Sequence, residues 1–348
     1  MSKLWNISQG YSSRAYNNII NAFDEGSKIK KNKSTAFHYT SFSNCINMLK
    51  APSTDDYYLE LFASHFRYMN DTREFLQGLD YINETLKILN GLKDEEILQT
   101  IESFKKHFMD GNIPYYAVPP HYIVSFNTNC NNLAQWKYYG KNCGVAIEYD
   151  LNNCVFSNYS IAENYVPHNS YYVNYNKREQ QEEINNILQK LIELDNSELQ
   201  KNKKIHCKNI LLKAFAAASF MKNMNYKDEK EIRLLFAPYY HDDAQFTADE
   251  SREQLIKKVE YRPRGDEYII PYLRIRLKSI GDNKFPIKSI TVGPGQNQDT
   301  IFNSLIMFIQ TNFPQTHAYI KPCSNEYDCF CVEVNGIKVR KSLIPFRG

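Results

Sequence analysis

The chain has 348 residues, with 42 Lys and Arg against 39 Asp and Glu, for a net charge of +3. Hydrophobic residues make up 43% and charged residues 23%, which is ordinary for a folded domain and excludes a wholly disordered chain. The 13 glycines are too few for a collagen-like or glycine-rich linker architecture, and so weak a net charge makes no case for nucleic-acid binding by itself.

No run of about 18 apolar residues occurs, so no membrane span is expected. The first residues, MSKLWNISQGYSSRAY, lack the apolar core of a secretory signal. Eight cysteines are present without a CxxC pair, which disfavours a zinc site. They are read as reduced thiols of a cytoplasmic protein. The basic run Lys28–Lys33 is read as a solvated segment.

In chain order, residues 1–35 form an irregular lead-in. Residues 36–348 read as a single domain with helical insertions near 72–110 and 178–224. Ala36–Ser41 is aromatic and β-branched, which suits a strand. The spacing predicts a short helix over 43–50, capped by Ser41 or Ser43 and stopped by Pro52. Leu59–Tyr68 reads as a strand, and Asn70 or Asp71 as the cap of two helical stretches running to about residue 110. Strands are predicted at Tyr122–Asn127 and Gly144–Asp150, flanking a helical turn at Leu133–Tyr139. Ile184, Ile187, Leu188, Leu191 and Ile192 form one apolar stripe in a long helical region. Strands follow at 232–237, 269–277 and 289–292, then a helix over 300–313 capped by Asp299 and strands near 317–322 and 329–343. The sum is an α+β fold with a mixed central sheet and inserted helices.

Phosphate-loop, dinucleotide-loop, zincin and hydrolase-elbow motifs are absent. Gly293-Pro294-Gly295-Gln296 reads as a turn after a strand rather than an anion cradle. Lys227-Asp228-Glu229-Lys230-Glu231-Ile232-Arg233 is the densest charged run before an apolar strand. In an extended chain Glu229 and Glu231 point the same way, with Arg233 on that side. They make either a solvated strand entrance or a carboxylate at the mouth of a cleft, positioned by Arg233 and Lys222. Such a carboxylate can stabilise a cationic sugar transition state. One of two tryptophans in the chain, Trp136 is either a core anchor or a stacking platform.

The ordered motifs resemble the bacterial family called domain of unknown function 2971. They are Phe37-His38-Tyr39-Thr40-Ser41, Arg67–Glu74, Ser125-Phe126, Gln135-Trp136-Lys137-x-Tyr139-Gly140, Gly144–Asp150, Lys222 with Glu229-x-Glu231-x-Arg233, Ile290–Pro294 and Ser342–Arg347. Thr72 stands where that family usually has proline. The pattern of His-x-Thr, then Ser, then Glu-x-Glu is in turn similar to ADP-ribosyltransferases. That resemblance implies an ADP-ribosyltransferase-like fold using NAD as co-substrate. His38 would contact the adenosine-side ribose, Ser125 would hold nicotinamide, and Glu231 would support the oxocarbenium ion, with Glu229 accessory. Tyr39, Thr40, Trp136, Tyr139 and Arg233 complete the implied NAD site. The acceptor would be a protein or nucleic acid, and the setting phage defence or a toxin system. Two other readings stand beside it. One is a Mg²⁺-dependent nucleic-acid-processing enzyme using carboxylates such as Asp71, Glu74, Glu148 and Glu231. The other is a non-catalytic sensor with a tyrosine-rich cleft.

Overall fold

Thirteen strands, named here in chain order, form one sheet among the described residues of the computed structural model. Those residues are 27–32, 35–49, 58–69, 74–89, 91–108, 121–140, 144–158, 170–198, 202–236, 259–279, 286–312, 321–322, 331–334 and 336–345. The strands are β1 (Ala36–Ser41), β2 (Leu59–His65), β3 (Tyr122–Asn127), β4 (Gly144–Tyr149), β5 (Cys154–Asn158), β6 (Ser170–Tyr172), β7 (Glu231–Phe236), β8 (Glu260–Arg264), β9 (Tyr268–Ser279), β10 (Ser289–Val292), β11 (Lys321–Pro322), β12 (Cys331–Val334) and β13 (Ile337–Lys341). The helices are α1 (Phe42–Met48), α2 (Glu74–Ile88), α3 (Glu95–Phe108), α4 (Lys177–Asp195), α5 (Lys203–Ala218) and α6 (Gln298–Asn312). The architecture is α+β, and the sheet is mixed because β10 and β13 run parallel while the other pairings are antiparallel.

Strand β3 sits where the sheet divides. Along one edge all six of its residues pair with β7. Its other edge is shared: β1 meets it at Phe37↔Asn127, and β2 meets it at Ser64↔Ile123 and His65↔Tyr122. From there β1 leads through β4, β10, β13 and β12 to β11, whereas β2 leads through β9 to β5. Residues near the middle of β3 therefore face a fork between two arms of the sheet.

Alternation along the strands divides the apolar residues between two cores. On one side Val124, Phe126, Ile147, Ile232, Leu234 and Ile275 pack with Cys45 of α1 and Leu305 and Ile309 of α6. On the other, Ile123 and Leu235 meet a layer built by α2, α3, α4 and α5. The two helical insertions thus form one layer. The centre of that layer is α5, apolar on nearly all sides, with Leu211, Leu212, Ala214, Phe215 and Ala216–Ala218 buried. Such a helix needs neighbours all round, and α2, α3 and α4 supply them. Phe215 anchors an aromatic cluster with Phe66, Phe75, Phe104 and His121.

Several expectations need correction. The helical stripe breaks at Ile192, which is 42% exposed while Ile184, Ile187, Leu188 and Leu191 are buried. The strand predicted to Tyr68 ends at His65, whose imidazole accepts the Arg67 N–H and caps a single 3-10 turn. Ser41 caps α1 as expected. The end of the lead-in joins the fold: Ser27 and Lys28 bind Glu183, and Lys30 and Asn32 bond to the β6 backbone. Cys331 is disulfide-bonded, so the thiols are not all reduced; Cys45, Cys130, Cys154 and Cys207 are free. The cap residues Asn70 and Asp71, together with Thr72, lie outside the described residues. Among the described residues no helix is long and apolar enough to cross a membrane.

His65 and His121 lie beside each other in the core, His121 against Ser219 at 3.1 Å. Burial, aided by the Arg67 charge at His65 and by His65 at His121, lowers both to about pH 3. The unfolded chain therefore binds protons that the folded chain refuses, and stability must fall as pH drops below about 6.5. The expected slope is up to ~1.4 kcal/mol per pH unit for each histidine. Urea midpoints between about pH 7.5 and pH 5 check this; an unchanged midpoint would contradict it.

Candidate functional site

The site is built where the chain enters β7. Met224–Glu229 forms a 3-10 turn, and Lys230 then takes a left-handed conformation at φ 46°. That residue turns the chain abruptly into Glu231. Glu229 therefore ends a helical turn and does not share an extended strand with Glu231, as the spacing had suggested. The two carboxylates still converge, because both reach Lys222. Its Nζ lies 2.6 Å from Glu229 Oε2 and 3.2 Å from Glu231 Oε2.

Arg233 does share the side of Glu231. Its Nε donates to Glu231 Oε1 at 2.8 Å and its Nη2 to Oε2 at 2.9 Å. A third N–H, on Nη1, reaches the Ser219 carbonyl at 2.6 Å. Glu231, Arg233 and Lys222 are 6%, 2% and 5% exposed, so this is a buried ionic cluster. Buried charges persist only when paired and hydrogen-bonded, and these are. The Glu231 N–H donates to the Tyr175 hydroxyl at 3.0 Å. Burial raises the Glu231 pKa above its ordinary value, while Lys222 and Ser125 work against that rise. Three N–H donors from two cations favour the charged form of the carboxylate against that burial. Burial also opposes the charge on Lys222, but Glu231 and Glu229 outweigh it and raise its pKa.

The neighbouring strand brings in Ser125 and Asn127, which lie opposite Arg233 and Glu231 in the β3–β7 register. The Asn127 amide donates to the Glu229 carbonyl and ties the two strands at the site. Ser125 Oγ is buried without a hydrogen-bond partner among the described residues, and it lies close enough to Glu231 to favour its charged form. On the fork side of β3, His38 Nδ1 lies 3.3 Å from the Ser125 carbonyl oxygen. A carbonyl only accepts, so Nδ1 carries the proton and Nε2 is left as an acceptor. Burial lowers the His38 pKa, and the Arg262 charge lowers it further, so the ring is neutral at pH 7. Ser125 thus joins the two ends of the site: its carbonyl holds His38 and its side chain lies beside Glu231. Tyr139 completes the group, its pKa pushed up to about 12 by burial and by Glu231 and Glu229.

Three implied site residues are spent inside the protein. Trp136 is 3% exposed and opens the π-helical turn Trp136–Gly140, which follows the short helical turn Leu133–Gln135 capped by Asn132. It crosses Tyr39 edge-on at 4.6 Å between centroids. The Tyr39 hydroxyl donates to the Asn129 carbonyl and accepts the Asn132 N–H. Thr40 is buried, and its carbonyl abuts Gly144. The Gly-Pro-Gly stretch serves this packing: the Gly293 N–H bonds to the Gly144 carbonyl, and a Cβ on Gly293 would lie 2.7 Å from the Trp136 ring. Gln298 secures the turn by reaching the Val292, Gly293 and Ser342 carbonyls. Asp299, expected as the cap, sits in the first turn of α6 and pairs with Lys341 at 2.5 Å.

Among the described residues Glu148 stands apart from the cluster. Glu148 binds Ser289 Oγ and Arg340, a pairing internal to β4, β10 and β13. Glu74 begins α2, and Asp71 lies outside the described residues. Among the described residues no three of His, Cys, Asp and Glu converge as a metal site. Sequence reasoning missed Tyr175, Asn127, Ser219 and Arg262. Tyr175 follows the run Ser170-Tyr171-Tyr172-Val173, whose aromatic and β-branched character is the signal for β6.

Residues 135–234 match the model of a family described as a protein of unknown function (DUF2971), and over that stretch the chain is similar to that family. The matched stretch holds Trp136, Tyr139, Tyr175, Lys222, Glu229, Glu231 and Arg233, and ends one residue past Arg233. His38 and Ser125 lie before it. No curated protein and no solved structure matches the chain.

An alanine at position 293 must displace the Trp136 ring, which Gly140 and Gly293 confine. Gly293→Ala should lower stability by about 1–3 kcal/mol through overpacking. It should also shift tryptophan emission in a variant whose only other tryptophan, Trp5, is replaced by Phe. Unaltered emission and stability would show that the ring is not confined.

Proposed function

We propose that the protein is an ADP-ribosyltransferase-like enzyme that takes NAD and passes ADP-ribose to a protein or nucleic-acid acceptor. The observation that carries the reading is the Glu231 carboxylate, buried yet paired with Arg233 and Lys222, with Ser125 beside it and His38 on the same Ser125 backbone. Cleavage of the C–N bond between nicotinamide and ribose sends the bonding pair to nicotinamide, which leaves neutral. Positive charge then develops on the ribose C1′ and ring oxygen. A fixed carboxylate in dry surroundings stabilises that charge more than water does, without reorganising. The acceptor nucleophile forms the new bond at C1′ and gives up its proton.

Arg233 and Lys222 act as positioning residues in this scheme. They orient the Glu231 oxygens and prevent protonation of a group that burial would otherwise neutralise. Neutral His38, with Nε2 as acceptor, suits a ribose hydroxyl donor. Glu229 supports the cluster through Lys222. Trp136, Tyr39 and Thr40 serve by fixing the turn that carries Tyr139.

The test is incubation of the purified protein with NAD labelled on the adenylate phosphate, with and without cell lysate. Label should pass to a macromolecule or appear as free ADP-ribose, and Glu231→Gln should lower that rate by about 10²-fold or more. Far-UV circular dichroism confirms that the Gln variant is folded. Intact NAD with the native protein, or full activity in Glu231→Gln, contradicts the reading.

A further inference from the structure

The hairpin of β8 and β9 carries four arginines, and they are not treated alike. Arg274 donates from Nε and Nη2 to Glu260 at 3.0 and 2.6 Å and from Nη1 to Glu60 at 3.1 Å. Arg276 also faces Glu60, at 3.8 Å. The Tyr272 hydroxyl takes the Glu260 carboxylate as well, at 2.7 Å. Glu60 and Glu260 are thereby committed. Arg262 has neither: its hydrogen bond among the described residues runs from Nη2 to Ser64 Oγ at 2.9 Å. Its Nε is buried without a hydrogen-bond partner among the described residues. Its guanidinium lies 5.8 Å from the ring centroids of both Phe62 and Tyr272.

This is an expensive arrangement. A partly desolvated cation without a counter-ion among the described residues, and with a buried N–H left over there, is destabilising unless something completes it. The position says what that could be. Ser64 is opposite Ile123 on β3, and Ser125 is the next residue on the same face of β3. Arg262 is therefore anchored one strand from the Ser125 that joins His38 to Glu231. Its charge is felt at His38, as that of Arg264 is at Tyr139. A planar guanidinium clamped by aromatic rings is a pre-organised fork for paired phosphate oxygens.

We infer that Arg262 is an oxyanion anchor that takes the diphosphate of a dinucleotide, with Phe62, Tyr272 and Ser64 holding its guanidinium. This deepens the NAD reading by placing the phosphates on the arm of the sheet led by β2, and it rests on that reading. Titration calorimetry tests it with four probes: NAD, ADP-ribose, inorganic pyrophosphate and nicotinamide riboside, which lacks the diphosphate. Arg262→Gln should weaken the first three by about 10- to 100-fold and leave nicotinamide riboside unchanged. Arg262→Lys keeps the charge without the fork and should fall between; it also guards against a Gln variant that fails to fold. Equal binding of NAD by the native protein and Arg262→Gln overturns the inference and spares the NAD reading. Pyrophosphate binding that needs Arg262, in a protein that neither binds nor cleaves NAD, upholds the anchor and removes the dinucleotide. A native protein that binds none of the phosphate probes overturns it outright.

Discussion

A carboxylate cannot stay charged inside a protein unless cations and hydrogen-bond donors replace the water it has lost. Glu231 meets that condition through Arg233 and Lys222, and much of the local fold exists to deliver those two groups. Arg233 is two residues along β7, so strand alternation brings it to the same face. Lys222 comes from the segment after α5, and that helix is held by the layer of α2, α3 and α4. The Ser219 carbonyl, at the end of the same helix, takes the remaining Arg233 contact. The four-helix layer thus does more than cover the sheet: it sets the distance between the Lys222 ammonium and the mouth of β7.

The fork in the sheet supplies the second half of the site. Because β1 and β2 share one edge of β3, the Ser125 carbonyl is met by the His38 imidazole at the division. That bond fixes the tautomer of His38, while burial lowers its pKa and keeps the ring neutral. The two arms then bring different chemistry: aromatic packing around Trp136 on the β1 arm, and the arginines of β8 and β9 on the β2 arm. Trp136 shapes the first arm by demanding glycine at 140 and 293, where any Cβ would strike its ring.

Much of this was legible in the sequence where a local signal exists. The aromatic run at 36–41, the Ser41 cap, the strand at 122–127 and the charged entry to β7 each follow from residue type and spacing. The convergence of Glu229 and Glu231 was legible too, but for a different reason than the one the spacing suggested. An extended strand was expected, whereas the left-handed Lys230 makes the turn, and no composition rule marks a lysine for that conformation. Short β6 and β8 were missed because three to five residues give too little periodicity to register. The fates of Tyr39 and Trp136 could not be read at all. An aromatic residue beside a site has the same letter whether it faces a ligand or the Gly293 backbone. Arg262 was invisible because its distinction is negative: its neighbours Arg274 and Arg276 have carboxylates and it has none among the described residues.

The account turns on the charge state of one buried group. It is tested most directly by ¹³C NMR of protein labelled at the glutamate carboxyl carbons, with the Glu231 signal assigned by its loss in Glu231→Gln. The account predicts a carboxylate signal at pH 7 that protonates at a pH above the ordinary value for glutamate, and an upward shift of that midpoint in Lys222→Met. A Glu231 signal already that of a neutral acid at pH 7 would contradict it, because a neutral carboxyl could not stabilise a developing cation.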